Sequence, residues 1–159
     1  MSNFQKVVAF NRAFDVPVQT KVQHEIWTKN PELVKLRMEL IREEMRELEE
    51  AVANHDMVET TDALSDILYV VYGMGASLGV NLDWAFDIVH SSNMSKVCMT
   101  EEDAKITVQK YKEDGRYDSP YYYNTKTGLY IVKNKSTQKV LKSHKYVEVN
   151  FDSILSGNK

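Results

Sequence analysis

Residues 33–53, LVKLRMELIREEMRELEEAVA, and residues 62–79, DALSDILYVVYGMGASLG, decide the fold. The first is amphipathic at helical spacing. At about 100° per residue, with Leu33 at zero, Glu44 falls near ~20° and Glu47 near ~320°. Leu36, Leu40, Leu48 and Ala51 surround them, while Lys35, Glu39, Arg42, Arg46, Glu49 and Glu50 gather on the opposite side. Glu44 and Glu47 are thus expected inside the apolar face, with Glu43 at its border. The second stretch is apolar almost all round, which predicts a buried helix. Its acidic stripe, Asp62, Asp66 and Tyr69 at i, i+4, i+7 with Glu59 at the edge, must then face something polar inside the protein.

Caps bound these helices. Asn30 precedes Pro31, the preferred order for an N-cap and first helical residue. Asp56 opens the next helix and Gly79 is its expected stop. A short helix is expected over about Phe4 to Phe14, another behind Asn81 fading near Val97, and one from Thr100, with Asp103 three positions on, to Gly115. After Gly115 the chain turns rich in Tyr and Val with polar turns, reading as a small β-meander or irregular tail. The expected architecture is an all-α antiparallel bundle with a small β or irregular C-terminal appendage. Residues 1–115 are expected to form its helical domain. Residues 116–159 pack on the bundle or a partner subunit.

Helices joined by a short connection pack antiparallel, so the acids of the two stretches converge. Burying carboxylates among leucines costs several kcal/mol per ion without a compensating charge. Arg37, earlier on the same stripe, offsets one at most. An oxygen-only acidic cluster suits Mg²⁺ or Mn²⁺ far better than zinc. The plain alternative is a buried network of protonated acids.

The pieces Leu36 to Glu44, Asp62 to Tyr69, and Val89 to Lys96 (VHSSNMSK) resemble the all-α nucleoside triphosphate pyrophosphohydrolase superfamily, which includes MazG-like proteins and phosphoribosyl-ATP pyrophosphohydrolases. The family's ExxD pattern on the second helix is not matched at Asp66, because Ala63 stands three residues before it. Asp62 lies on the same face; Glu59-Thr60-Thr61-Asp62 also matches ExxD, one turn out of register, which makes Glu59 a secondary candidate.

The resemblance implies Mg²⁺-dependent cleavage between the α- and β-phosphates of a nucleoside triphosphate. Glu44, Glu47, Asp62 and Asp66 would hold metal, with Mn²⁺ as a possible substitute. Glu43 would activate water, and Arg37, Tyr69, Asn93 and Lys96 would contact substrate. For Lys96 and Asn93 the plain alternative is decoration and capping of a helix end. The rivals are phosphoribosyl-ATP hydrolysis and a helical dimerisation module without activity.

Composition sets further bounds. Net charge is −3, so no global basic field would hold nucleic acid or an anionic membrane. One cysteine, Cys98, excludes an internal disulfide framework and fits a reducing, cytoplasmic setting. No apolar run approaches the ~20 residues of a membrane span. Helices carrying this much apolar surface imply a homodimer or a dimer of dimers. The four histidines are too scattered for a site. Trp27 and Trp84 are expected in the core. The lysines around KVLK read as a solvated basic run.

Overall fold

Helix formation follows the caps the sequence supplies. The computed structural model describes residues 1–156. Helix α1 is Asn3–Ala13, opened by a capping box in which Ser2 and Gln5 each satisfy the other's backbone N–H. A single turn, α2 (Ile26–Lys29), precedes α3 (Pro31–Ala53), whose N-cap Asn30 accepts from the Leu33 amide at 3.3 Å. Asp56 caps α4 (Met57–Leu78) by accepting from the amides of Val58 and Glu59, and Gly79 ends it in the left-handed region. The constraint at Gly79 is double: φ is +72°, and an added Cβ would stand 2.0 Å from the Lys21 carbonyl oxygen. Helices α5 (Leu82–Met94) and α6 (Glu101–Asp114) follow, the latter capped by Thr100 and stopped by Gly115. Strands β1 (Pro120–Asn124) and β2 (Tyr130–Asn134) form an antiparallel hairpin, and α7 is one turn, Asp152–Leu155. The all-α bundle with a small C-terminal β appendage is the observed class.

The chain divides into two compact units, Met1–Phe86 with the described residues from Phe151 on, and Asp87–Asn150. In the first unit α4 is the hub, packing on α3 and α1. Arg37, near the start of α3, meets Ser77 near the end of α4, so the two helices run antiparallel. The packed arc of α3 contains Arg37, Ile41, Glu44, Leu48 and Ala51. That arc is centred about 40–60° from Leu33, rotated from the expected face. Leu36, expected within the face, is 55% exposed as a result.

Helix α4 is not buried all round. Its small residues Ala63, Gly73, Ala76 and Ser77 are buried, while Met57, Val58, Leu64 and Leu68 are exposed. Trp27 and Trp84 are also exposed, not in the core.

The second unit has its own core of Cys98, Ala104, Val108, Val132 and Leu141, flanked by Tyr111, Tyr117, Tyr122 and Tyr130. The hairpin packs on α6, so the compact units do not coincide with a boundary at 115/116. Helix α6 lends its apolar side to a tail that has too few apolar residues of its own. No single described helix is long and apolar enough to cross a membrane.

Candidate active site

Antiparallel packing of α3 on α4 brings acids of both helices around one point. Glu44 is half-buried at the middle of the α3 arc, and its carboxyl is raised above the usual glutamate range. Burial is the largest cause, followed by the charges of Asp66, Glu47, Glu43 and Asp62. Those are the acids the sequence singled out. Asp66 is half-buried, whereas Glu43, Glu47 and Asp62 are exposed. Glu47 therefore departs from its expected interior position, because the packed arc is rotated toward Arg37 and leaves position 47 on its edge. None of the five has a Lys, Arg or His ion-pair partner among the described residues.

An all-oxygen, uncompensated donor set of this kind has the chemistry that a hard divalent cation requires. The side chains are gathered but not closed into a coordination shell. Among the described residues, no three Asp, Glu, His or Cys side chains stand in position to hold a metal together.

Arg37 is placed elsewhere. Its guanidinium is buried, with Nε donating to Ser77 Oγ at 3.0 Å, and burial pushes its pKa down. Ser77 Oγ in turn donates to the Gly73 carbonyl at 3.1 Å. A Cβ at Gly73 would come within 3.3 Å of an Arg37 terminal nitrogen, so the glycine leaves room for the guanidinium. Arg37 thus ties the start of α3 to the end of α4 and does not offset the acids.

Position 63 explains the departure from the ExxD pattern. Ala63 is only 3% exposed, in the α3–α4 contact, where a carboxylate would be desolvated. Glu59 is exposed in the first turn of α4, its amide bonded to the Asp56 cap.

Tyr69 is partly exposed and meets Phe10 of α1 edge-on at 5.4 Å. It lines a depression of about 230 Å³ with Asn3, Lys6, Val7, Ser65, Leu68 and Tyr72. Asp62 lines a second depression, with Met57, Val58, Thr61 and Ser65. Ser65 lines both. Lys6 and Ser65 were not legible as site residues. The approach of α1 to α4 is a long-range contact, and neither residue carries a motif. Asn93 and Lys96 lie in the second unit, where Lys96 Nζ donates to Asn93 Oδ1 at 2.6 Å.

The family model for phosphoribosyl-ATP pyrophosphohydrolase matches residues 7–93, more than half of the chain. The chain belongs to the phosphoribosyl-ATP pyrophosphohydrolase family. This family lies within the MazG-like all-α nucleoside triphosphate pyrophosphohydrolase superfamily. Membership makes the chain a nucleotide pyrophosphohydrolase, a hydrolase acting on acid anhydrides. The phosphoribosyl-ATP pyrophosphohydrolase match takes in all five acids, Tyr69 and Asn93, and ends before Lys96. The chain is also similar to an uncharacterized protein of Acanthamoeba polyphaga mimivirus. The two are 29% identical over 240 aligned positions, covering 97% of this chain and 96% of the relative.

Proposed function

We propose that the α3–α4 acids hold Mg²⁺, with Mn²⁺ able to replace it. The chain would then hydrolyse a nucleoside triphosphate to its monophosphate and pyrophosphate. The observation that carries this reading is Glu44, raised by burial and by four neighbouring carboxylates with no cationic partner among the described residues. Glu44, Glu47, Asp62 and Asp66 would be the ligands. The cation supplies charge neutralisation for the triphosphate and a more acidic water.

Glu43, exposed beside Glu44, has the access to solvent that a water-activating carboxylate needs. Tyr69, with Lys6 in the same depression, offers a ring and a cation to the substrate. For Lys96 and Asn93 the role of substrate contact rests on the NMSK motif alone. Lys96 has no carboxylate partner among the described residues. Arg37 holds the helix pair.

The physiological role we infer is control or sanitation of a (deoxy)nucleotide pool in the cytoplasm. Phosphoribosyl-ATP is the second reading, favoured by the description of the matching family. A homodimer or dimer of dimers accounts for the apolar side chains that the first unit leaves exposed, among them Met57, Val58, Leu68, Trp84 and Phe86.

The test is pyrophosphate release over a panel of ribo- and deoxyribonucleoside triphosphates plus phosphoribosyl-ATP, with Mg²⁺ and with Mn²⁺. Turnover of at least one triphosphate with either cation supports the reading. Turnover of phosphoribosyl-ATP alone replaces it with the second, and a blank panel rejects both.

A further inference from the structure

The total charge of −3 conceals an uneven distribution. Residues 116–147 carry seven lysines and arginines against one acid, Asp118. Arg116 and Lys145 are paired with Asp114 and Asp103. Lys126, Lys133, Lys135, Lys139 and Lys142 have no carboxylate partner among the described residues. The whole stretch lies within the second unit, so its surface is built without help from the first.

Sheet register decides which of its side chains share a face. Tyr121 pairs with Lys133, Tyr122 with Val132 and Tyr123 with Ile131. Residues 139–141 extend the ladder beyond β2. There Val140 bridges Lys133, and the Leu141 amide donates to the Val132 carbonyl at 2.9 Å. Paired residues point to the same side of a sheet and successive ones to opposite sides. Val132 and Leu141 are fully buried with Tyr122 packed on their core, and the Tyr122 hydroxyl donates to Glu101 Oε1 at 2.8 Å. That side is taken by α6. Tyr121, Tyr123, Ile131, Lys133 and Val140 belong to the other.

The outer side is aromatic and cationic. The rings of Tyr121 and Tyr123 are 6.2 Å apart and inclined by only 28°. Lys133 Nζ lies 5.5 Å from the Tyr123 centroid. Tyr123 is 38% exposed and Val140 46%. Lys126, in the turn between the strands, and Lys135, just past β2, are exposed at opposite ends of the hairpin. Near-parallel rings offer successive π-faces, and lysines strung along them offer charge to a regularly spaced anion. A protein's carboxylates or an anionic bilayer would use the lysines and leave the ring faces without a role. A duplex keeps its base faces inside its own stack.

We propose that the outer face of the β1–β2 hairpin binds single-stranded nucleic acid, with bases stacking on Tyr121 and Tyr123 and phosphates meeting Lys126, Lys133 and Lys135. The binding is tolerant of sequence, because every base has a π-face and no base edge needs to be read.

The experiment titrates the full chain, in EDTA, against a fluorescently labelled DNA strand of about 20 nucleotides, longer than the ~4–16 that one small domain covers. A 5′-hydroxyl end and EDTA keep the hydrolase site out of the readout, which is anisotropy. Raising salt from about 50 to 200 mM should weaken binding roughly 20-fold, the loss for three phosphate contacts on a single strand. Tyr121→Ala and Tyr123→Ala should each weaken it about tenfold, while Tyr123→Phe, which keeps the ring, should not. Lys133→Gln should cut the slope of log affinity against log salt by about 0.7. No binding at the lower salt overturns the proposal. So does equal affinity for an abasic strand or for the duplex, or full affinity in both alanine variants, since each leaves only an unspecific cationic surface. Binding of phosphatidylserine vesicles without binding of the strand gives the face to a membrane and overturns it too. Circular dichroism melts check that the variants fold; should Tyr121→Ala not fold, the exposed Tyr123→Ala decides alone.

Discussion

Replacing Ala63 by Glu restores the acid that the family pattern carries three residues before Asp66, and the structure says this should harm the protein. Ala63 is 3% exposed between α3 and α4. The isosteric control is Ala63→Gln, whose extra volume costs about 1–3 kcal/mol of overpacking. The glutamate adds a charge. At neutral pH an ion so placed takes a proton instead of staying charged, which limits its extra cost. Raising its pKa from ~4.3 to ~7 costs about 3.7 kcal/mol at 1.36 kcal/mol per pH unit. The extra loss is thus at most about 4 kcal/mol near pH 7 and close to zero near pH 4. For a chain of this size that corresponds to a melting temperature about 8–16 °C below the glutamine variant at neutral pH. Circular dichroism melts of both variants in EDTA, at the two pH values, read this difference. Equal melting of the pair at neutral pH refutes the reasoning, as does selective rescue of the glutamate variant by Mg²⁺. Either result would make position 63 a metal-facing site and displace Asp62.

Asp62→Ala and Asp66→Ala should each reduce turnover at saturating Mg²⁺ by two orders of magnitude or more, and Glu59→Ala by much less. Survival of Asp66→Ala would shift the ligand pair to Glu59 and Asp62. The raised Glu44 carboxyl favours the folded state when protonated, so its contribution is present below the ordinary glutamate range and is lost as pH rises through the raised value. Above that point Mg²⁺ should therefore raise the melting temperature, and below it the cation should do little; a pH-independent Mg²⁺ effect would contradict the cluster. Leu141→Ala deletes a fully buried side chain and should cost about 2–5 kcal/mol, read by chemical denaturation. A loss under 1 kcal/mol would mean that the second unit's core is not as packed as described.

Local chemistry was legible wherever it acts over a few residues. Asn30, Asp56, Gly79, Thr100 and Gly115 each bound a helix as their side chains or backbone freedom require. The five acids were found from phase and short-loop packing, because both follow from helical geometry alone. What escaped depends on partners distant in the chain. The rotation of the α3 arc toward Arg37 needs the small-residue stripe of Gly73 and Ser77 opposite it, forty residues away in the case of Ser77. That rotation is what leaves Glu47 exposed. The short helices α2 and α7, four residues each, carry too little periodicity to register. The tie of His144 and Lys145 to Asp103 left no sign in their own neighbourhood, because Asp103 lies about forty residues upstream.

The central claim, a carboxylate-held cation that directs cleavage between the α- and β-phosphates, is tested most directly by phosphorus NMR of the reaction products. The chain is incubated with its best triphosphate in Mg²⁺ and, in parallel, in EDTA. The account predicts monophosphate and pyrophosphate in Mg²⁺ and intact triphosphate in EDTA. Release of orthophosphate with a nucleoside diphosphate, or turnover that persists in EDTA, would contradict it.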